Sequence, residues 1–174
     1  MFKKSIIQDF VGVWLLLTGC LICGMFVNEM RATPLSLVYS PPETRLNHAV
    51  DELGAATTIP ISLDGDINRD EMQKISADRL ALILDARPEI FYRLGHIPSA
   101  ISLPRDDFEK QYQALQSTIQ AHRDQPVVVY CSSMDCHDSQ MVAEALQKLG
   151  YHHVRLFRGG WSDWESGNLP EEKE

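Results

Sequence analysis

Between Phe10 and Val27 the chain reads FVGVWLLLTGCLICGMFV, eighteen residues without a charge. That is just long enough to cross a bilayer core as a helix, and it lacks the polar face that a soluble helix shows. Prolines at 34, 41 and 42 and Gly54 then punctuate a polar stretch, with Leu46, Val50 and Leu53 spaced as one short amphipathic helix inside it. From Ile59 the pattern alternates. Ile59, Ile61 and Leu63 recur at period two, as in a strand, and Asp70 to Ile75 is helix-like, with Met72 and Ile75 on one face. Leu80–Leu84 is a continuous apolar run, as in a strand covered on both sides, and Ile101–Leu103 is a shorter one. Asp106 with Glu109 three residues on reads as a capping box, opening a helix with the stripe Phe108, Tyr112, Leu115 and Ile119.

Val127–Tyr130 is a strand rich in β-branched residues, and Ser139–Leu149 is a helix stopped by Gly150. Val154–Phe157 is a last strand, broken by Gly159 and Gly160. Strands alternating with helices predict an α/β fold with a parallel sheet and helices on both faces. Four segments follow: residues 1–28 as a transmembrane anchor or lipoprotein-type signal, 29–58 as a tether, 59–167 as the globular domain, and 168–174 as an acidic tail. Lys3 and Lys4 precede the apolar run, so the positive-inside bias puts residue 1 in the cytoplasm and the domain outside, at the periplasmic face of an inner membrane. Leu17–Cys20 is similar to a lipoprotein cleavage box, which would leave Cys20 lipidated. The apolar character persisting from Leu21 to Val27 favours an uncleaved single-pass anchor.

The 174 residues carry a net charge of −8; Lys3, Lys4 and Asp9 contribute +1, so −8 − 1 leaves −9 on the exported portion. No basic cluster suited to phosphate neutralisation is present, which argues against nucleic acid as a partner. Four cysteines are too few for a disulfide-stapled miniprotein and lack the spacings of a structural zinc site.

In a parallel α/β sheet the working site lies beyond the carboxyl ends of the strands. There, Cys131 opens a loop of Ser132, Ser133, Met134, Asp135, Cys136, His137 and Asp138 that runs into the helix at Ser139. A thiol at that place faces the positive end of a helix and unpaired amides that can form a nest for an anion, and both favour thiolate. The alternative for Cys131 is a small buried hydrophobe.

Asp85-Ala86-Arg87, then Gly95–Ala100 (GHIPSA), Leu103-Pro104, the strand VVVY before Cys131, and FRGGW at Phe157–Trp161 together resemble the rhodanese-like (sulfurtransferase) family, over about Ile59 to Gly167. The resemblance implies a parallel sheet of about five strands and a persulfide carried on Cys131. It also implies a small sulfur donor, a thiol or protein acceptor, and no cofactor or metal. Family loops often place an arginine at the fifth position after the cysteine; Cys136 stands here, and the loop holds two aspartates and no cation. The missing cation argues against rapid turnover of dianionic thiosulfate. His137 stands where rhodanese-fold phosphatases need arginine, which argues against that activity. Arg87 is the nearest expected cation, although with Asp85 its expected role is a structural pair bracing the loop.

Cys136, five residues from Cys131, suggests a second chemistry. If their Cα atoms come within about 7 Å the two can close a disulfide, making the site a thiol–disulfide redox module; otherwise Cys136 packs beneath the loop. A soft metal on Cys131, Cys136 and His137 lacks a fourth ligand. A catalytically silent binding domain is the third reading. His96 is expected to satisfy backbone groups in its turn, His152 and His153 to lie in an exposed turn, and Trp161 and Trp164 to pack in the core or at its rim.

Overall fold

The computed structural model describes residues 2–31, 39–54 and 65–174. They fall into two compact units, residues 1–39 and 40–174. The first is a single helix, α1 (Phe2–Glu29). Within it Phe10–Glu29 is long and apolar enough to cross a membrane, with mean hydropathy 2.3 and none of its side chains buried. Cys20 and Cys23 on this helix are free and exposed. The Thr18 hydroxyl donates to the carbonyl of Trp14 one turn back, which spares it an unsatisfied polar atom in apolar surroundings.

The second unit is built on four parallel strands: β1 (Leu82–Asp85), β2 (Ile101–Ser102), β3 (Val127–Tyr130) and β4 (Val154–Phe157), in the order β2-β1-β3-β4. All four side chains of β1 and of β3 are buried, as continuous apolar runs require when both sheet faces are covered. The expected strand around Ile59–Leu63 lies outside the described residues. Among the described residues the sheet therefore has four strands rather than five, with a single parallel bridge from Asp66 to Leu156 on β4.

Helices cover both faces. One core combines alternate strand residues (Leu82, Leu84, Val127, Val129) with α2 (Pro42–Glu52), α5 (Phe108–Ala114), α6 (Gln116–Gln120) and α7 (Asp138–Lys148). The other combines Ile83, Val128 and Tyr130 with α3 (Arg69–Asp78), α4 (Glu89–Leu94) and α8 (Gly160–Ser166). Leu46, Ala49 and Val50 of α2 are buried in the first core, so the segment read as a tether contributes a packed helix to the domain. The acidic tail also docks: His96 and Glu172 exchange backbone hydrogen bonds of 2.9 and 3.0 Å, and the Trp164 indole donates to the carbonyl of Pro170.

Several helix boundaries have local causes. Asn68 caps α3 by accepting from the amide of Glu71, and Asp70 and Glu71 sit in its first turn, favourable positions against the helix dipole. Gly150, at φ +92°, ends α7 and turns the chain towards β4. The capping box expected at Asp106 and Glu109 does not form. Helix α5 starts at Phe108 with no side-chain cap, because Asp106 pairs with Arg105 instead and Glu109 accepts from Gln113. The stripe Phe108, Tyr112 and Ile119 is buried as its period implies, but the helix breaks at Leu115 into α5 and α6. Helix α7 begins one residue before the expected Ser139, and the two glycines after β4 lead directly into α8, a helix the apolar pattern does not signal.

Candidate active site

The carboxyl ends of β1 and β3 bring Asp85, Ala86 and Arg87 beside Tyr130 and Cys131. The Arg87 guanidinium donates to both Asp85 oxygens through Nε at 3.0 Å and through Nη2 at 2.6 Å, and also reaches the Gly95 carbonyl at 2.7 Å. Tyr130 donates its hydroxyl proton to the same carboxylate at 2.6 Å and accepts from the amide of Ile97. Burial disfavours the charged guanidinium, yet the Asp85 hydrogen bonds and charge outweigh it and hold the Arg87 pKa above its ordinary value. Burial, followed by the Asp85 charge, pushes Tyr130 well above its usual range, so the phenol stays protonated as a donor. The Trp161 ring covers this pair, with the Arg87 carbon 4.7 Å from its centroid. Asp85 and Arg87 thus join β1, β3, the GHIPSA turn and α8.

Helix α8 in turn holds the start of the cysteine loop. The amides of Trp161 and Ser162 donate to the carbonyls of Cys131 and Ser132, each at 2.8 Å. Gly160 has φ +63°, and a Cβ there would collide with the Cys131 carbonyl oxygen. Glycine therefore answers both a left-handed backbone and a close approach.

The loop itself is closed by a disulfide. Cys131 and Cys136 are bonded to each other with their Cα atoms 6.1 Å apart, inside the reach that the spacing required. Cys131 is buried, whereas Cys136 is half-buried and is the more exposed residue of the pair. The expected ring of amide donors around a Cys131 thiolate is not what this state contains: among the described residues no main-chain N–H donates to its sulfur, whose neighbour is the sulfur of Cys136. The Cys136 amide bonds to the Ser133 carbonyl at 3.1 Å, which tightens the loop into a turn. Ser132, Met134 and Asp135 are exposed, Ser133 is half-buried and Ser139 is buried at the start of α7. His137 is exposed and turns to a groove between α2 and α7 rather than to the sulfurs. On the other side of the loop, a cleft of about 690 Å³ runs between Ser133–Asp135, the Arg158-Gly159 turn and the first residues of α3.

Asp138 is the remaining group at the sulfurs. One of its oxygens and the two sulfur atoms lie within 4.8 Å of one another. With the sulfurs bonded together, this trio offers no pair of thiolates to a metal. Asp138 is also ion-paired to Nη1 of Arg105 at 3.1 Å, while Nη2 of Arg105 holds Asp106 at 2.8 Å. Arg105, not Arg87, is therefore the cation that offsets the acidic loop. Arg87 is consumed by Asp85, and Arg105 lies outside the site expected from the sequence because it sits 33 positions away from Asp138 on the β2–α5 turn. The residue after Leu103-Pro104, at the carboxyl edge of a parallel sheet, was the available signal.

Of the other expectations, His96 is buried, stacks on Tyr92 with centroids 3.8 Å apart and bonds the Tyr92 carbonyl through Nδ1. Trp164 is buried, and His152 and His153 are exposed.

The rhodanese-like domain family matches residues 68–167, more than half of the chain. The chain belongs to the rhodanese-like family. Among curated relatives, the tRNA uridine(34) hydroxylase of Escherichia coli (strain K12 / DH10B) is 34% identical over 62 residues. That match takes in 36% of this chain and 18% of the relative, so the chain spans less than a fifth of that protein's length. Among solved structures, the BH2092 protein of Bacillus halodurans superimposes with a TM-score of 0.55 at 19% identity, over 76% of this chain and 87% of that one. EanB, in a complex with ergothioneine covalently linked to a persulfide cysteine, gives a TM-score of 0.54 at 21% identity, over 63% of this chain and 28% of that one. At these identities the two structures show a shared rhodanese-like fold.

Proposed function

We propose that the domain is a sulfane-sulfur carrier in which Cys131 takes up sulfur as a persulfide and Cys136 resolves it. The observation that carries this reading is the disulfide between the cysteine at the end of β3 and a second cysteine on the same loop. In the reduced loop, the Cys131 thiolate attacks the outer sulfur of a donor, the donor's sulfur–sulfur bond breaks, and the electron pair leaves with the remainder of the donor. The Cys136 thiol then attacks the inner sulfur of the persulfide. A disulfide forms, and the outer sulfur departs as sulfide with the proton of Cys136. Two equivalents of an external thiol regenerate the dithiol and leave as their own disulfide. Attack begins at Cys136, the more exposed residue of the pair. With an external acceptor taking the outer sulfur first, the same persulfide serves ordinary sulfurtransferase chemistry. The disulfide supports the redox branch, since it shows that the two sulfurs are close enough to exchange a bond.

The apolar helix Phe10–Glu29, preceded by Lys3 and Lys4, supports tethering to the inner membrane with the domain in the periplasm, a compartment that permits disulfides. A reporter fused after Glu174 is expected to be active only when exported; activity confined to the cytoplasm contradicts that topology.

The test is mass spectrometry of the loop peptide after a single turnover with polysulfide. Cys136→Ser is expected to retain one extra sulfur on Cys131, and the native chain to end as the disulfide with one equivalent of sulfide released. Cys131→Ser is expected to do neither. An unmodified Cys131 in both the native and the Cys136→Ser chains overturns the proposal.

A further inference from the structure

We infer that the Arg105–Asp138 pair is a charge gate on the Cys131 loop, one that selects sulfur carried on a thiol over dianionic sulfur donors. The inference rests on the sulfur-carrier reading for the identity of the donor, while the charge field itself stands on geometry.

The Asp138 carboxylate lies within 4.8 Å of both sulfurs. Arg105, the cation nearest to it, is tied at Nη1 to Asp138 and at Nη2 to Asp106. Its Nε is buried without a partner, so the guanidinium has a donor left that no acceptor in the protein uses. The other cations around the loop and its cleft are also paired: Arg158 with Asp66, Arg69 with Asp163, and Arg87 with Asp85. Asp135 adds a further exposed carboxylate on the loop. Arg45 also lies 4.0 Å from Asp106, so Asp135, Asp138, Asp106, Arg105 and Arg45 together carry −1, and the two carboxylates on the loop itself are met by Arg105 alone.

A thiosulfate dianion approaching Cys131 meets that field with two charges. A persulfide borne by a thiol meets it with at most one, or none when protonated, so the field discriminates between the two donors by charge alone. The favoured step is balanced without a further reactant. The Cys131 thiolate attacks the terminal sulfur of RS–SH, the RS–S bond breaks, RS⁻ leaves with the electron pair and is protonated by water, and Cys131 keeps the S–SH. Asp138 is in this account a specificity-determining residue and Arg105 the residue that positions it.

The experiment uses the full chain in detergent, reduced, with modification read at the Cys131 and Cys136 peptides. The first readout is the alkylation rate with anionic iodoacetate relative to neutral iodoacetamide, which needs no sulfur chemistry. Asp138→Asn, which removes one charge about 5 Å from the reacting sulfur and frees Arg105, is expected to shift that ratio about tenfold towards iodoacetate. Arg105→Gln is expected to shift it the other way, and Arg105→Lys, which keeps the charge, to restore it. Ratios within about twofold across all four chains overturn the gate.

The second readout is loading of Cys131 by thiosulfate relative to cysteine persulfide. Asp138→Asn is expected to raise that ratio about tenfold, and an unchanged ratio overturns the donor assignment. If neither donor loads Cys131 in any chain, the sulfur-carrier reading fails and the donor assignment with it, while the alkylation ratio still decides the charge field.

Discussion

Arg87 and Asp85 keep only 3% and 0% of their side-chain surface, whereas Arg105 and Asp138 keep 20% and 25%. The two pairs have the same chemical composition and stand near the same edge of the sheet. The first is saturated: its carboxylate also accepts from Tyr130, its guanidinium also reaches Gly95, and Trp161 covers it. The second is shared with Asp106, has an unused Nε, and places an Asp138 oxygen within 4.8 Å of the sulfurs. A buried charge pair that is fully hydrogen-bonded is costly to break and has nothing left to offer a ligand. A partly open pair costs little to alter, yet changes the field that an incoming group meets. The pair written as a contiguous motif in the sequence is scaffold, and the pair formed across elements is the one at the chemistry.

The largest effect of breaking that contrast is expected at the buried pair. Arg87→Met leaves Asp85 charged and without its strongest partner, and is expected to cost about 3–5 kcal/mol in urea unfolding of the reduced chain. Asp138→Asn, measured the same way, is expected to cost less than about 1 kcal/mol. Equal costs would erase the distinction drawn between the pairs.

Gly160→Ala comes next, at about 2–3 kcal/mol, because alanine there is strained at positive φ and its Cβ meets the Cys131 carbonyl. It should also move the loop, so the rate at which a small thiol reduces the Cys131–Cys136 bond should change. An unaltered reduction rate would mean that α8 does not hold the loop. Tyr130→Phe is milder than either Arg87→Met or Gly160→Ala. It deprives Asp85 of one donor and the Ile97 amide of its acceptor but leaves Arg87 in place, for about 1–2 kcal/mol in the same unfolding assay. A loss matching that of Arg87→Met would show that the hydroxyl, rather than the guanidinium, holds the pair together.

The fold was legible in the chain wherever burial on both faces forces an uninterrupted apolar run. Strands β3 and β4 fall on Val127–Tyr130 and Val154–Phe157 as the pattern predicts. Legibility failed where short polar segments take their structure from what they pack against. Helix α8 opens on a glycine whose role is defined by the Cys131 carbonyl, and α2 becomes part of the core only because Leu46 and Val50 find α5 and α7 beside them. The site divides in the same way. Cys131, at the end of a β-branched strand and the start of a polar loop, could be named from its position, and the spacing to Cys136 permitted a disulfide without requiring one. Arg105 was marked only by its place after Leu103-Pro104; its partner Asp138 lies on a different element, and only the closing of the sheet brings them together.

The central claim is that Cys131 bears sulfur and Cys136 displaces it. Its most direct test is the fate of one labelled sulfane sulfur added to the reduced full chain. The account predicts that Cys136→Ser keeps the label on the Cys131 peptide, while the native chain releases it as sulfide in step with formation of the Cys131–Cys136 bond. Release at the same rate and extent from both chains, or label found on neither, would contradict it.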